Sequence, residues 1–462
     1  MELETKLVGD IEFPARKVWL KTFGCQMNEH DSQRILAHLK DLNFSSTDNQ
    51  DDADLILFNT CAIRDLANSK FYSQLGEVKN IKKVKKQDLK VGIGGCVAQT
   101  EGKSLIKKYE HLDFSFGTDV IDQINDMVYR LYAGENKFNV NTWDKTSDYS
   151  IETKIVHGDP RAFVNIIKGC DKFCSYCIVP FTRGREKSRK LAEVVADVKR
   201  LVEYQGIQEV TLLGQNVNSF GRDNNENLAQ LITELDKING LQLIRYTTSH
   251  PYDVSDELIS VHGSSKKLSN HLHLPVQSGS NSVLVRMLRE YTVEHFKGLV
   301  DKLRAANPNI VLSTDIIAGF PNETEEEHRA TLKLLEDIKF DSIFSFCFSP
   351  RAGTKAARMK DSLTEEIRSQ RLQEIQALQL KIQEETRQVM VGKTFRVLVD
   401  GVGSKNGIVK LKGRSNCNRI IHFEPVDPNY DYKWHWMDVE VTSVTSLSAQ
   451  AKLIQDLGKT LH

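Results

Sequence analysis

The stretch Gly169-Cys170-Asp171-Lys172-Phe173-Cys174-Ser175-Tyr176-Cys177-Ile178-Val179-Pro180 sets three cysteines in CxxxCxxC spacing directly after an apolar run at 163–167. Three thiolates on one short loop suit three irons of a cubane cluster, because soft thiolate ligands favour iron-sulfur sites and this spacing lets one loop wrap one cluster. The fourth iron then has no protein ligand and stays open to a small molecule. Zinc is the rival occupant. Structural zinc wants four closed ligands, commonly as paired CxxC elements, and no fourth Cys or His lies nearby.

Downstream of the motif the pattern is repeated βα. Leu191, Val194, Val195, Val198, Leu201 and Val202 follow helical spacing, and a compact apolar strand at 210–213 comes after them. Further strands are expected at 243–247, 271–274, 311–317 and 342–348, with helices at 294–306 and 324–338 between them. With the run at 163–167 this makes about six repeats, which suits a partial, TIM-like βα barrel with its reactive groups at the carboxyl ends of the strands. A long charged helix at 364–390, free of Gly and Pro, closes this domain, placed at 156–391.

Upstream, after a tail at 1–16, a shorter strand, turn and helix rhythm predicts a small parallel α/β domain at 17–134. Strands are expected at 18–23, 54–58, 90–93 and 114–116, and helices at 27–39, 63–78 and 119–132. Cys25, Cys61 and Cys96 each follow a strand's carboxyl end. Open parallel sheets gather those ends along one edge, so cysteines about 35 residues apart in sequence can converge. Each alone reads equally as a small buried hydrophobe. The polar segment at 135–155 is expected to be a linker.

The last segment, 392–455, changes character. Glycines at 392, 401, 403, 407 and 413 punctuate short alternating runs, which predicts a small antiparallel β-barrel. Between Gly392 and Ile421 seven basic residues (Lys393, Arg396, Lys405, Lys410, Lys412, Arg414, Arg419) face one acidic residue, Asp400. A second basic stretch holds Lys82, Lys83, Lys85 and Lys86. Over the whole chain Lys plus Arg and Asp plus Glu balance at 62 each, so these local patches alone speak for an anionic partner such as RNA phosphate.

The 462 residues exceed what one hydrophobic core organises, in keeping with three domains of overall α/β class. No apolar run is long enough to cross a bilayer, and the N-terminus has no apolar h-region. A cytoplasmic, monomeric protein with no membrane partner is expected. Eight cysteines without a secretory signal favour metal or redox chemistry over disulfides. Cys347, inside a strand, and Cys417, in a loop of the basic domain, are given no role.

A CxxxCxxC loop after the first strand of a βα barrel resembles the radical S-adenosylmethionine superfamily. A three-cysteine domain, a radical domain and a basic β-barrel in that order resemble the methylthiotransferases, whose last domain is called TRAM. Gly24-Cys25-Gln26-Met27-Asn28-Glu29-His30-Asp31-Ser32, Asn59-Thr60-Cys61-Ala62-Ile63-Arg64 and Leu213-Gly214-Gln215-Asn216-Val217-Asn218 look like the tRNA-2-methylthio-N6-dimethylallyladenosine synthases. The resemblance implies two 4Fe-4S clusters, one on Cys170, Cys174 and Cys177 and an auxiliary one on Cys25, Cys61 and Cys96. It also implies two S-adenosylmethionine molecules per turnover, one giving its methyl to sulfur and one cleaved to a radical. The implied substrate is the isopentenylated adenosine of a tRNA anticodon stem-loop, with a sulfur donor and an electron donor as further partners. The threonylcarbamoyladenosine and ribosomal-protein branches of the family, and a non-enzymatic metal-stabilised tRNA-binding protein, are the alternatives.

Polar residues after the barrel strands, Gln215, Asn216, Ser249, Gln277, Asp315 and Gly319, stand where a nucleoside-like cofactor would lie. Each suits a helix cap or strand-end turn equally well. Arg183 and Arg185, just after the cluster loop, are expected to meet carboxylate or phosphate. Lys393, Arg396, Lys410, Lys412 and Arg414 are the candidates for RNA contact.

Overall fold

A computed structural model describes residues 6–8, 10–63, 65–84, 88–143, 149, 151–155, 158–405 and 408–459. Lys85, Lys86 and part of the expected linker, 144–148, lie outside the described residues. The chain divides into two compact units, one of residues 1–156, 163–171 and 178–187, the other of 157–162, 172–177 and 188–462. No helix among the described residues is long and apolar enough to cross a membrane.

In the first unit six strands form one parallel sheet: β1 (Arg16–Thr22), β2 (Phe44–Ser46), β3 (Leu55–Thr60), β4 (Lys90–Gly95), β5 (Phe114–Phe116) and β6 (Phe138–Val140). Their spatial order is β2-β1-β3-β4-β5-β6, and every neighbouring pair is parallel. Strand side chains alternate between faces. Leu55 and Leu57 therefore pack with α1 (Gln26–Leu39) and α4 (Ile124–Tyr132) through Ile35, Leu39, Met127 and Leu131. Ile56 and Phe58 pack on the other side with α2 (Asp65–Val84) and α3 (Cys96–Lys108) through Phe71, Leu75, Val97 and Leu105. All six residues of β3 are buried, the pattern of a central parallel strand covered on both faces.

Two sequence boundaries need correction. The expected linker at 135–155 begins inside this domain, because β6 pairs with β5 as the sheet's last strand. An edge strand covered only in part needs no strong apolar run, and β6 has none. The tail at 1–16 is not free of the core either: Phe13, wholly buried, belongs to the first cluster. Helix α3 and strand β2 have no counterpart among the expected elements.

The second unit carries the βα repeats. After β7 (Arg161–Asn165), part of which lies in each unit, come β8 (Glu209–Leu213), β9 (Leu243–Tyr246), β10 (His271–His273), β11 (Val311–Ala318) and β12 (Ser342–Cys347). β8 pairs with β9, and β11 lies between β10 and β12, all parallel. Ile244 joins the two sets, its N–H donating to Lys267 and its carbonyl accepting from Ser269, both at 2.8 Å. The result is a partial barrel in sequence order, and α5 (Glu365–Arg387) packs against β12.

Strands β13 (Thr394–Lys405), β14 (Ile408–Ser415), β15 (Ile420–Phe423), β16 (Trp436–Val444) and β17 (Ala449–Gly458) form a closed barrel around Val397, Leu411, Phe423, Met437 and Val439. The barrel is not wholly antiparallel as expected, since β15 and β17 pair parallel. Five strands cannot alternate direction around a closed ring, so one pair must run together. The last strand also carries the domain beyond 455, to Gly458.

Gly95, with φ of 89°, turns β4 directly into α3, and a Cβ there would lie 2.5 Å from the Thr60 carbonyl oxygen. A Gly95→Ala substitution should lower the stability of the first unit by about 2 kcal/mol or more, read as an earlier midpoint in urea.

Candidate metal centres

The sheet order places β1 beside β3, the point at which the chain's direction of winding reverses and where open α/β sheets bind ligands beyond the carboxyl ends. Cys25 follows β1 and Cys61 follows β3, on either side of that point, and Cys96 follows the next strand, β4. The register matches Thr22 to Asn59 and Thr60 to Gly95, so the three chain ends stop level with one another. A Cβ on Gly24 would lie 2.6 Å from Cys61 Cβ and 2.9 Å from its Sγ, so the Gly24-Cys25 turn lies directly against Cys61.

Hydrogen bonds fix these loops to one another. Asn28 Nδ2 donates to the carbonyls of Phe23 and Thr60, both at 2.8 Å, joining the first two ends. Thr60 Oγ1 donates to the Gly94 carbonyl at 2.6 Å and accepts from Val97 N–H at 3.2 Å, joining the second to the third. Cys25 is the N-cap of α1, its carbonyl accepting from Asn28 and Glu29, and Cys96 is the first residue of α3. Helix N-termini favour negative charge, which suits thiolates.

Behind the cysteines lies a buried arginine. Arg183 Nη1 donates to Asp31 Oδ2 at 2.6 Å and Nη2 to Asn28 Oδ1 at 2.8 Å. Burial alone would favour the neutral guanidine, but Asp31, and then the thiols of Cys96 and Cys25, push its pKa well above the ordinary value. Burial likewise opposes ionisation of Asp31, yet Arg183, His30 and Arg34 bring its carboxyl down to about 2. The expected anion-binding arginine thus spends its guanidinium on a carboxylate and on the Asn that holds the cysteine loops.

In the CxxxCxxC loop, Cys170 belongs to the first unit, where its N–H donates to the Gly184 carbonyl at 3.1 Å. Arg185 is exposed and pairs with Asp171 at 3.3 Å. Cys174 and Cys177 belong to the second unit. There Ser175 N–H donates to the Met287 carbonyl and Ser175 Oγ to the Arg286 carbonyl, and Cys174 Sγ accepts from Arg289 Nη1 at 3.3 Å. Arg289 is buried, bonded to the Pro275 carbonyl at 2.7 Å and to Tyr291 Oη at 3.0 Å. The sequence reading missed Arg289, which stands 115 residues from Cys174 with no motif to mark it.

Among the described residues no three Cys, His, Asp or Glu side chains already converge on one ion position. The donor chemistry nonetheless fits two anionic clusters: each set supplies three thiols, and each has a buried arginine at hand to balance negative charge.

The expected cofactor residues divide. Ser249 is buried with no hydrogen-bond partner for its Oγ, and His250 Nε2 is equally unsatisfied, the sort of orphaned polar atoms that a ligand completes. Burial, followed by Arg289, Lys172 and Arg222, keeps His250 neutral. Asn216 instead ties the loops together, donating to Asp253 at 2.7 Å and accepting from His250 N–H at 3.1 Å. Gln215, next to it, is half-buried. Gln277 bridges to β11, its N–H donating to the Asp315 carbonyl and its own carbonyl accepting from Ile317. Asp315 is half-buried and 3.4 Å from His273. Gly319 has a packing reason: a Cβ would meet Arg368 Cγ at 2.4 Å, and its carbonyl accepts from Arg368 Nε.

On the C-terminal barrel the positive charge is smaller than the sequence count. Arg396 forms a two-pronged pair with Asp438, Lys412 and Arg414 approach Asp400, and Arg419 pairs with Asp341. Asp438 and Asp341 lie outside the counted window. Lys393 is exposed, and Lys410 donates to Gln450 at 2.9 Å. Cys347 is half-buried, and Cys417 is buried 3.2 Å from Ser415 Oγ.

Residues 17–117 match the Uncharacterized protein family UPF0004, and residues 164–335 match the Radical SAM superfamily. The chain is 42% identical over 419 residues to the tRNA-2-methylthio-N6-dimethylallyladenosine synthase of Carboxydothermus hydrogenoformans, covering 88% of this chain and 93% of that one. It is also 42% identical over 435 residues to the synthase of the same name from Geobacillus thermodenitrificans, covering 91% and 82%. Among solved structures, the radical S-adenosylmethionine methyltransferase TsrM from Kitasatospora setae superposes with a TM-score of 0.57 at 15% identity, over 74% of this chain and 77% of that one, a likeness of fold.

Replacing Arg183 with Leu strands the Asp31 carboxylate in the interior and should cost about 3–5 kcal/mol of stability, much of it recovered in Arg183→Leu/Asp31→Leu. Denaturant titration of both variants measures this. Because folding lowers the Asp31 pKa from 3.8 to about 2, its contribution of about 2 kcal/mol is present above pH 3.8 and is lost as pH falls through 2. A stability-against-pH curve for Asp31→Asn should lack that acid limb.

Proposed function

The chain belongs to the tRNA-2-methylthio-N6-dimethylallyladenosine synthase family of radical S-adenosylmethionine proteins, and from that premise we propose that it converts N6-isopentenyladenosine beside the tRNA anticodon to its 2-methylthio form. The observation that supports this reading is that Cys25, Cys61 and Cys96 each follow one of three neighbouring strand ends that stop level beside a switch point, in a chain that also holds a CxxxCxxC loop. One three-thiol site suffices for making a radical. A second is what sulfur insertion adds.

Cys170, Cys174 and Cys177 hold the cluster that binds S-adenosylmethionine, and Cys25, Cys61 and Cys96 hold an auxiliary 4Fe-4S cluster. When bound, the clusters and two S-adenosylmethionine molecules supply the radical, sulfur and methyl chemistry that an unactivated adenine carbon demands and that no side-chain base provides. The protein's part is to orient and to exclude. Arg183 and Asn28 hold the auxiliary cysteines in place and balance their charge, and Arg289 does so for Cys174. Ser249 and His250 offer unsatisfied polar atoms to the cosubstrate. Three domains share the work: 17–140 for the auxiliary cluster, 156–391 for the radical, and 392–458 as a TRAM-like module whose Lys393 and Lys410 approach RNA phosphate. The protein acts as a cytoplasmic monomer, with a sulfur donor and an electron donor as partners. A single-stranded anticodon loop presents its base at less cost than a duplex would.

Nucleoside mass spectrometry of tRNA from a deletion strain should show loss of 2-methylthio-N6-isopentenyladenosine and accumulation of N6-isopentenyladenosine, both reversed by the restored gene. An unchanged methylthio level overturns the reading. Iron and sulfide analysis of anaerobically reconstituted protein should show Cys25→Ala and Cys170→Ala each losing about half of both elements.

A further inference from the structure

Parallel sheets are ordinarily covered on both faces, yet the end strand of the β10-β11-β12 sheet is not. Phe344 and Phe346 of β12 are 52% and 49% exposed. The register pairs Ser313 with Ser342, Asp315 with Phe344 and Ile317 with Phe346, so these side chains share one face, joined by His271 and His273 of β10. The opposite face is closed: Thr314, Ile316 and Ala318 are buried, and Cys347 lies near Glu365 and Arg368 of α5. The open aromatic face is therefore the one turned away from the helices, the inner face of the partial barrel.

That face has order. His271 Nε2 and His273 Nδ1 both lie 2.9 Å from Ser313 Oγ, and His273 Nε2 lies 3.4 Å from Asp315 Oδ1. The His273 ring also meets Phe344 edge-on at 5.7 Å. A hydrogen-bonded polar row thus ends in a half-exposed carboxylate beside two half-exposed phenyl rings. Ile317, next to Phe346, packs against the same buried cluster as Tyr176 of the CxxxCxxC loop, so this face and that loop share one support.

We propose that this face is the cradle for an adenine bearing an apolar N6 substituent, and this inference rests on the function proposed above. The rings of Phe344 and Phe346 cover the five-carbon chain, and Asp315 accepts the one hydrogen left on N6. The chemistry matches on both counts: an N6-alkyl adenine has a single N6–H donor and an apolar arm, and the face has one half-exposed acceptor flanked by apolar rings. Phe344 and Phe346 are specificity residues, which decide whether the substituent is present.

The test is direct binding to full-length reconstituted protein of an anticodon stem-loop RNA that carries or lacks N6-dimethylallyl. Wild type should prefer the alkylated RNA roughly tenfold, the gain from burying part of a five-carbon chain. Phe344→Ala and Phe346→Ala should cut that preference to about twofold while affinity for unalkylated RNA and for S-adenosylmethionine stays within about twofold. Neither truncation empties a buried space, and Phe344→Leu and Phe346→Leu, which keep apolar surface, should retain part of the preference. A tenfold preference that survives both Ala variants overturns the inference. So does loss of S-adenosylmethionine binding with the RNA preference intact, which would give the face to the cosubstrate, and so does equal binding of both RNAs by wild type. Failure of wild type to bind either RNA would instead count against the function itself.

Discussion

A guanidinium sealed inside protein is strongly destabilising unless it finds a carboxylate and a further acceptor, and in the first unit Arg183 finds both in Asp31 and Asn28. Asn28 is at the same time the residue whose amide bonds Phe23 and Thr60, the backbone groups just before Cys25 and Cys61. The order of the cysteine loops is therefore inseparable from the charge behind them. Thiolates gathered at neighbouring strand ends repel one another unless a cation stands close, and the N-termini of α1 and α3 add their own positive ends.

The second unit solves a related problem with different material. Cys174 receives a hydrogen bond from Arg289, and the loop around it hangs from backbone carbonyls near Met287. Asp253 receives Lys172, Arg222 and Asn216 together, which ties the segments around it to one another. The hydrogen bonds that hold the Cys174 loop and the openness at β12 are complementary: radical chemistry needs held groups on one side and room for a substrate on the other.

The C-terminal barrel shows how charge counts mislead when taken along the chain. Of the seven basic residues between Gly392 and Ile421, four are answered by carboxylates, two of which come from residues distant in sequence. Among the window's described side chains, Lys393 is exposed and Lys410 is half-buried with Gln450 as its partner, so the free positive charge is narrower than the sequence window suggests.

The features legible in the sequence were those with short-range signatures. CxxxCxxC after an apolar run, a cysteine after each of three strands, the βα repetition and the glycine-punctuated β segment all live within a few residues, and the structure keeps each of them. Edge strand β6, without a clear apolar pattern, reads as linker, and the alternating runs read as a fully antiparallel barrel where an odd strand number forbids it. Only tertiary structure decided the partners of charges and the openness of faces: Arg183 with Asp31 across 152 residues, Arg289 with Cys174 across 115, Arg368 against Gly319, and the inner face of β12 left bare. Local periodicity reports which residues must leave water. It does not report which of many equivalent arginines the strand register will deliver to a given carboxylate, and that choice shapes the surroundings of both cysteine groups.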